Sequence, residues 1–375
     1  MEPPVNDHSV SRLVSLGYCD HFASQFSSHA ALGLLPARVA AEHRGAYVLL
    51  TPEGEVSAHL AGRFRHTAAS RRQWPAVGDW VAFRAAGGGP ESGMNIHSAL
   101  THHVIHAVLP RRTAFLRAVA GGLSEPQVVA ANVDVILIVC ALGPDLNLRR
   151  IERYLAAARA SGAEPGIALT KADLFDDGAV AAAEVRAIAG SAPVVLVSSV
   201  TGLGRDEVCA LTAGSRTMAI VGSSGVGKST LINRLADEAA QLTASLGADG
   251  RGRHTTTHRE LFALPGGGMV LDTPGMRELR LWDADDGVAE TFDDVTALAA
   301  RCRFGDCAHE SEPGCAVLAA LEDGTLSPSR WGSWVKLQRE LHALARRTDA
   351  RLAAEDKRQI KVFSRAARVR DRGRR

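Results

Sequence analysis

The sequence predicts a multidomain protein with an N-terminal β-barrel, a central α/β domain and a C-terminal helical module. Short alternating apolar runs follow one another between Pro36 and about Arg112, as expected of a small barrel. Apolar strands then alternate with amphipathic helices, which is the pattern of a parallel α/β sheet. Beyond residue 290, three of the six cysteines fall between Cys302 and Cys315.

Composition excludes membrane-spanning and disulfide-stapled classes of protein. Of 375 residues, 46 % are hydrophobic and 22 % are charged, as in ordinary globular domains. The best apolar run, residues 133–142, contains Asp134 and is too short to span a bilayer. No leader sequence is evident, and six cysteines are too few for a disulfide scaffold. We therefore expect a cytoplasmic monomer without a membrane partner.

Five parts are expected along the chain: an N-terminal segment (1–34), the barrel (35–113), the α/β domain (114–290), the helical module (291–345) and a basic tail (346–375). Residues 330–375 carry 15 Lys/Arg against 5 Asp/Glu, whereas the 329 residues before them carry 28 against 36. A basic tail on an acidic body indicates a polyanionic partner. The other interpretation is a solvated tail that binds nothing.

The barrel is best explained as an OB-fold, a barrel type that binds oligonucleotides through one sheet face and its loops. Its expected strands are residues 37–40, 45–50, 55–60, 79–83 and 103–108. A basic loop at residues 66–72, preceded by Arg63 and Arg65, falls between two of them. This loop is compatible with RNA phosphates and equally with a solvated surface.

The α/β domain contains a phosphate-binding loop of the form G-x-x-x-x-G-K-[ST]. An apolar strand, residues 218–221, precedes the loop, and a helical pattern follows it at residues 231–235. The loop residues are Gly222, Ser223, Ser224, Gly225, Val226, Gly227, Lys228, Ser229 and Thr230. Its N–H groups face the anion; Lys228 is expected between the β- and γ-phosphates, and the Ser229 hydroxyl is expected on Mg²⁺.

A base-recognition motif, [NT]-K-x-D, occurs as Thr170, Lys171, Ala172 and Asp173 after the strand that begins at Gly166. An aspartate accepts hydrogen bonds from N1 and the 2-amino group of guanine, and adenine offers neither donor. Asp173 therefore predicts GTP and GDP as ligands, with Lys171 along the ring. Ser198 and Ser199 end the next strand, where a backbone N–H would meet guanine O6.

The catalytic motifs come later in the chain. Asp272 opens D-x-x-G and is expected to hold Mg²⁺ through water, while the Gly275 N–H senses the γ-phosphate. Thr256, in the Gly-rich stretch 250–257, is our choice for the threonine that closes on Mg²⁺ and γ-phosphate. Because the base motifs precede the phosphate loop, the order indicates a circularly permuted P-loop GTPase domain.

Four potential metal ligands occur within 14 residues of the helical module. Cys302, Cys307, His309 and Cys315 are spaced C-x4-C-x-H-x5-C. Three thiolates and one imidazole match a closed structural zinc site, with no position left for catalysis. We therefore expect one structural Zn²⁺.

In this combination of motifs, the chain resembles the RsgA (YjeQ) family of circularly permuted GTPases over roughly residues 36–345. The match includes the barrel, His254 with the following threonines, Asp272–Gly275, and the cysteine module with Glu312-Pro-Gly-Cys315. The resemblance implies hydrolysis of GTP to GDP and phosphate, stimulated by the small (30S) ribosomal subunit. It also implies a role in late maturation of that subunit, with rRNA contacts from both flanking domains.

The main alternative is a GTP-gated rRNA-binding factor with negligible turnover. Met276 keeps it open, because many GTPases have there a glutamine that orients the attacking water. An ATPase is disfavoured by Asp173, and a partnership with the large subunit is disfavoured by the barrel and the metal module. The residues assigned to catalysis are Lys228, Thr256, Asp272, Gly275 and His254.

His254 is a candidate for positioning the attacking water, although a histidine with no catalytic duty is nearly as plausible in this loop. If it positions the water, His254→Ala lowers the small-subunit-stimulated kcat by roughly 100-fold or more and leaves GTP affinity unchanged. Single-turnover hydrolysis measures this, and a variant that keeps the stimulated kcat excludes the role.

Overall fold

The computed structural model describes residues 7–43, 45–68, 70–86, 103–117, 126–244, 259–264, 266–273 and 284–348. Two helices come first, α1 (Asp7–Ser15) and α2 (Asp20–Ala30). Gly17, at φ 89°, follows the first of them. The second was not expected, because Phe22 and Phe26 alone give a weak apolar pattern; both pack beside Trp80 of the barrel.

The predicted five-stranded barrel is confirmed. Its elements are β1 (Leu35–His43), β2 (Ala46–Thr51), β3 (Gly54–Leu60), α3 (Gly62–Thr67), β4 (Trp80–Arg84) and β5 (His103–Val108). The strand order is β1-β2-β3-β5-β4, and β4 pairs with β1 to close the barrel. Alternate side chains such as Val39, Leu49 and Ile105 fill its interior.

Two described parts of the expected basic loop at residues 66–72 have regular structure that the sequence did not predict. Helix α3 runs through residue 67, and a 3₁₀ turn follows at Arg71–Gln73. The Ser70 hydroxyl accepts a hydrogen bond from the Arg72 N–H at 3.1 Å, which caps this turn. Helix α3 has only six residues and includes Gly62, so its sequence is too short to show the 3.6-residue apolar repeat of a helix.

The central domain alternates strands and helices as predicted. Its elements are β6 (Ala114–Arg117), β7 (Gln127–Ala131), β8 (Val135–Ala141), α4 (Leu148–Ala160), β9 (Glu164–Thr170), α5 (Gly178–Ala189), β10 (Val194–Leu196), α6 (Arg205–Ala210), β11 (Thr217–Val221), α7 (Lys228–Ala244), β12 (Glu260–Ala263) and β13 (Met269–Asp272). Strands β10-β9-β8-β11-β13 form a parallel sheet in that order. The hairpin of β6 and β7 was not predicted.

Burial on both faces explains why the parallel strands are almost wholly apolar. In β8, Ile136 and Ile138 pack on the side of α4 and α5, whereas Leu137 and Val139 pack on the side of α7. Antiparallel β12 pairs with β13 and also with β1, where Ala41 lies opposite Glu260. The barrel and the central sheet are therefore one continuous sheet.

A buried arginine reinforces the junction between the barrel and the central domain. Arg38 of β1 is 1 % exposed and donates to the carbonyl oxygens of Leu16, Gly78 (3.2 Å) and Asn132 (3.0 Å). Burial lowers the pKa of Arg38 to about 10, which still leaves it charged at neutral pH. One side chain thus joins the N-terminal helices, the barrel and the strand that leads into β8.

The C-terminal module contains α8 (Asp285–Thr291), α9 (Asp293–Ala299), α10 (Ala316–Glu322) and α11 (Pro328–Thr348). Helix α8 lies so close to α4 that a Cβ on Gly287 would be 2.2 Å from the Ala156 carbonyl oxygen. Arg330 of α11 pairs at 2.8 Å with Glu152 of α4, which is 3 % exposed. The module is therefore docked on the central domain. No helix within the described ranges is long and apolar enough to cross a membrane.

Candidate nucleotide and metal sites

The parallel sheet brings the predicted nucleotide motifs to one edge. Thr170 ends β9, Ser198 follows β10, Gly222 follows β11 and Asp272 ends β13. Because these strands run in the same direction, their carboxyl ends face the same side, where open α/β sheets bind ligands. In register, Asp272 lies opposite Ile220 of the strand before the phosphate loop.

The phosphate loop requires glycine at its start. Gly222 has φ 147°, and a Cβ there would be 2.3 Å from the Val139 carbonyl oxygen. Gly225 and Gly227 also have positive φ, 79° and 91°. The loop runs directly into the N-terminus of α7, so its N–H groups and the helix dipole favour an anion.

Lys228 lies across this loop. Its Nζ donates to the carbonyl oxygens of Gly222 at 2.8 Å and Ser223 at 2.5 Å. Ser229 and Thr230, in the first turn of α7, are exposed. The ammonium group is thus placed beside the phosphate loop.

Thr170 joins the base motif to the phosphate loop. Its side chain is buried, and its hydroxyl donates to the Val226 carbonyl oxygen at 2.6 Å, with the Cys140 carbonyl oxygen at 3.2 Å. The sequence places Thr170 only in the base-recognition motif. The structure shows instead a positioning residue that contacts a loop 56 residues away.

The rest of the base motif is held by its backbone. Lys171 has φ 61°, in the left-handed region, and the Ala172 N–H donates to the Val197 carbonyl oxygen at 3.1 Å. This turn leaves Asp173 exposed at the sheet edge, where a base could reach it.

Ser198 organises the neighbouring turn. Its hydroxyl oxygen accepts hydrogen bonds from the N–H groups of Val200 at 3.2 Å and Thr201 at 3.1 Å. Ser198 is buried, and Ser199 is only half-buried beside it. The serine side chain therefore shapes the turn.

Asp272 closes the site from the other side of the phosphate loop and is 8 % exposed. Next to it, the fully buried Thr273 donates to the Ile220 carbonyl oxygen at 2.5 Å. The sequence analysis did not predict this hydrogen bond, although a threonine directly after a buried strand is a signal for a hydroxyl that bonds to a neighbouring strand. His254, Thr256, Gly275 and Met276 lie outside the described residues.

The four predicted metal ligands come together in the C-terminal module. The ligand atoms of Cys302, Cys307, His309 and Cys315 all lie within 4.8 Å of one another. Cys302 Sγ is 3.8 Å from Cys315 Sγ and 3.5 Å from His309 Nδ1, and His309 Nδ1 is 3.4 Å from Cys315 Sγ.

The three separations among Cys302, His309 and Cys315 fit a single metal ion. In a tetrahedron with metal–sulfur bonds of about 2.3 Å and metal–nitrogen bonds of about 2.0 Å, ligand atoms are about 3.5–3.8 Å apart. Cys140, by contrast, is buried in β8, and burial raises the pKa of its thiol to about 11. It is a core residue.

Two side chains around the metal cluster were not assigned a role from sequence. The Glu312 carboxylate accepts hydrogen bonds from the N–H groups of Ala308 and Glu310 at 2.9 Å and of Ser311 at 3.0 Å. These donors, Ser311 first, lower the pKa of Glu312 to about 2. Trp331 of α11 stands edge-on to the His309 ring, with centroids 5.6 Å apart.

Comparison with known proteins agrees with this arrangement. Residues 108–282 match the family model described as RsgA GTPase. A protein of Opitutus terrae named small ribosomal subunit biogenesis GTPase RsgA is 53 % identical, over 96 % of this chain and 98 % of its own length. The chain belongs to the RsgA GTPase family.

A second RsgA protein, from Syntrophotalea carbinolica, is 44 % identical over 93 % of this chain and 95 % of its own length. The crystal structure of YjeQ from Thermotoga maritima matches with a TM-score of 0.59 and 26 % identity, covering 82 % of this chain and 98 % of that one. The structure of YloQ, a circularly permuted GTPase, shares the fold with a TM-score of 0.55 and 24 % identity, over 82 % and 95 %. The permuted fold and the GTPase class are thereby confirmed.

Thr170 gives a test of the nucleotide site in this RsgA family member. Thr170→Val keeps the shape of the side chain but leaves the buried Val226 carbonyl without its donor, which costs about 1–3 kcal/mol. We expect GDP affinity to fall roughly tenfold, whereas Thr170→Ser keeps it. Titration with a fluorescent GDP measures both. A valine variant that binds as tightly as the serine variant contradicts the positioning role.

Glu312 gives a test of the metal cluster. Glu312→Gln removes the charge that gathers three N–H groups, so the ligand loop should loosen and metal loss to a chelator should accelerate roughly tenfold. The matched control is Glu310→Gln, two residues away and exposed. Metal content and release are followed with a colorimetric chelator at pH 7. Equal release from both variants contradicts the role given to Glu312.

Proposed function

We propose that the protein hydrolyses GTP to GDP and phosphate and that the small (30S) ribosomal subunit stimulates this reaction. It acts in late maturation of that subunit through rRNA contacts. The observation that carries the proposal is the single sheet edge shared by Asp173, the phosphate loop and Asp272. The names of its close RsgA relatives support the ribosomal partner.

Within this proposal, Thr170–Asp173 and the turn at Ser198 and Ser199 bind the guanine base, and residues 222–230 bind the phosphates. Lys228 neutralises charge between the β- and γ-phosphates. Mg²⁺ bound with GTP supplies charge neutralisation on the phosphates, and Ser229, Thr256 and Asp272 are the residues that would hold it. The Gly275 N–H and His254 complete the proposed catalytic set.

The cysteine and histidine cluster is proposed to hold one structural Zn²⁺. Three thiolates and an imidazole are the ligands that zinc prefers, and with four protein ligands no position is left for a substrate. The ion would fix the loop between α9 and α10 against Trp331 of α11. We also propose a cytoplasmic monomer, because its proposed partner is a cytoplasmic particle.

A GTP-gated rRNA-binding factor with negligible turnover is the second candidate. Met276 favours it, because a methionine cannot orient the attacking water. The two candidates bind the same nucleotide and the same partner, so only the rate of hydrolysis separates them.

The test is GTP hydrolysis by the purified protein alone, with small ribosomal subunits, and with large subunits as the control. We expect slow turnover alone and stimulation of roughly 10-fold or more by small subunits only, because the subunit would supply or position the missing water-orienting group. Tight GTP binding with no stimulation would move the assignment to the GTP-gated factor. Equal stimulation by large subunits would contradict the proposed partner.

A further inference from the structure

The connection between β3 and β4 carries an unusual concentration of positive charge. Between Val56 and Gly78 there are four arginines and two histidines but no aspartate or glutamate. The four arginines lie within residues 62–74, which we call the arginine segment: Arg63, Arg65, Arg71 and Arg72. All four are exposed, on a body that is otherwise acidic.

The second half of the arginine segment is held by an ion pair between the half-buried Arg111 and the buried Asp79. Arg111 donates to the carbonyl oxygens of Arg72 at 2.6 Å and Trp74 at 2.9 Å, and it pairs with Asp79 through two bonds of 2.7 and 2.8 Å. Asp79 is fully buried and also accepts the Ala76 N–H at 2.8 Å. The charge of Arg111 is therefore neutralised by Asp79, and its hydrogen bonds hold the backbone that carries Arg71 and Arg72.

None of the four exposed guanidinium groups takes part in an ion pair within the part of the chain that the structure describes. Arg71 instead packs over the half-buried Trp74 ring at 5.9 Å, which orients the group without neutralising it. Arg65 lies against the turn between β1 and β2, 3.5 Å from where a Cβ of Gly45 would be.

The chemistry of this surface favours phosphates. Arginine presents a planar set of donors that matches phosphate oxygens, and the turn between β1 and β2 is one that OB barrels use to bind oligonucleotides. A membrane surface is disfavoured, because no exposed large hydrophobic residue of the described chain lies within residues 62–74. A set of arginines without ion-pair partners, on a surface without exposed large hydrophobic residues, is suited to a nucleic-acid backbone.

We propose that the arginine segment binds RNA backbone phosphates, with Arg63, Arg65, Arg71 and Arg72 positioning the protein without reading base sequence. The inference rests on the proposed function, which supplies the RNA partner. It adds which surface of the barrel makes the contact: the connection between β3 and β4, beside the turn between β1 and β2.

The test compares two double variants with the same change in charge. Arg71→Gln/Arg72→Gln alters the arginine segment, and the matched control Arg149→Gln/Arg186→Gln alters exposed arginines on α4 and α5. Affinity for purified small subunits, with a non-hydrolysable GTP analogue bound, is measured from 50 to 300 mM KCl. Protein-free small-subunit rRNA is the second probe, and basal GTP hydrolysis confirms that each variant is folded.

We expect the Arg71/Arg72 variant to bind both probes roughly tenfold more weakly at low salt. The slope of log affinity against log salt should become shallower by about 1–2. The variant makes fewer phosphate contacts, so its binding releases fewer counterions. The control variant should match wild type. Basal hydrolysis should be the same in all three proteins.

Two outcomes overturn the inference while leaving the proposed function intact. One is a variant that binds like the control with an unchanged salt slope. The other is a loss seen on subunits but not on free rRNA, which would assign the arginine segment to an acidic ribosomal protein. If wild-type protein binds neither probe, the proposed ribosomal partner fails first and the inference fails with it.

Discussion

The parallel alignment of the central strands is the constraint on which the nucleotide site depends. Residues that are far apart in sequence meet because β9, β10, β11 and β13 end on the same side of one sheet. The hydroxyl of Thr170 then ties the base motif to the phosphate loop through the Val226 carbonyl oxygen. Circular permutation changes the order of these strands along the chain but not their neighbours in space, so the site survives it.

Two arginines, the buried Arg38 and the half-buried Arg330, hold the flanking domains to this sheet. Arg38 joins the barrel to the strand entering the central domain, and Arg330 joins the C-terminal module to Glu152 of α4 while its guanidinium stacks 4.2 Å from the Phe292 ring. Separating the module from α4 would break the Arg330–Glu152 ion pair and expose the helix faces that now pack against each other. A nucleotide-driven movement of the module therefore carries α4 with it or disrupts this pair.

Patterns of neighbouring residues in the sequence correctly predicted the features that depend on nearby residues. The barrel strands, the α/β alternation, the phosphate loop and the metal-ligand spacing each occupy a short window, and all appear in the structure. Features that depend on distant contacts were missed, such as the bond from Thr170 to the phosphate loop and the packing of Trp331 on His309. The sequence analysis mentioned Glu312 only as part of the family resemblance. Its carboxylate accepts hydrogen bonds from three backbone N–H groups, and the folded turn that brings them together is not visible in the sequence.

The central claim is that Asp173 makes this sheet edge selective for guanine. Guanine offers two donors to the aspartate, whereas xanthine offers N1–H and an acceptor oxygen, which suit the amide of an asparagine. Hydrolysis of GTP and XTP by Asp173→Asn, with small subunits present, tests the claim directly. The account predicts that GTP turnover falls by roughly 100-fold and that XTP becomes the preferred substrate. A variant that still prefers GTP would contradict it.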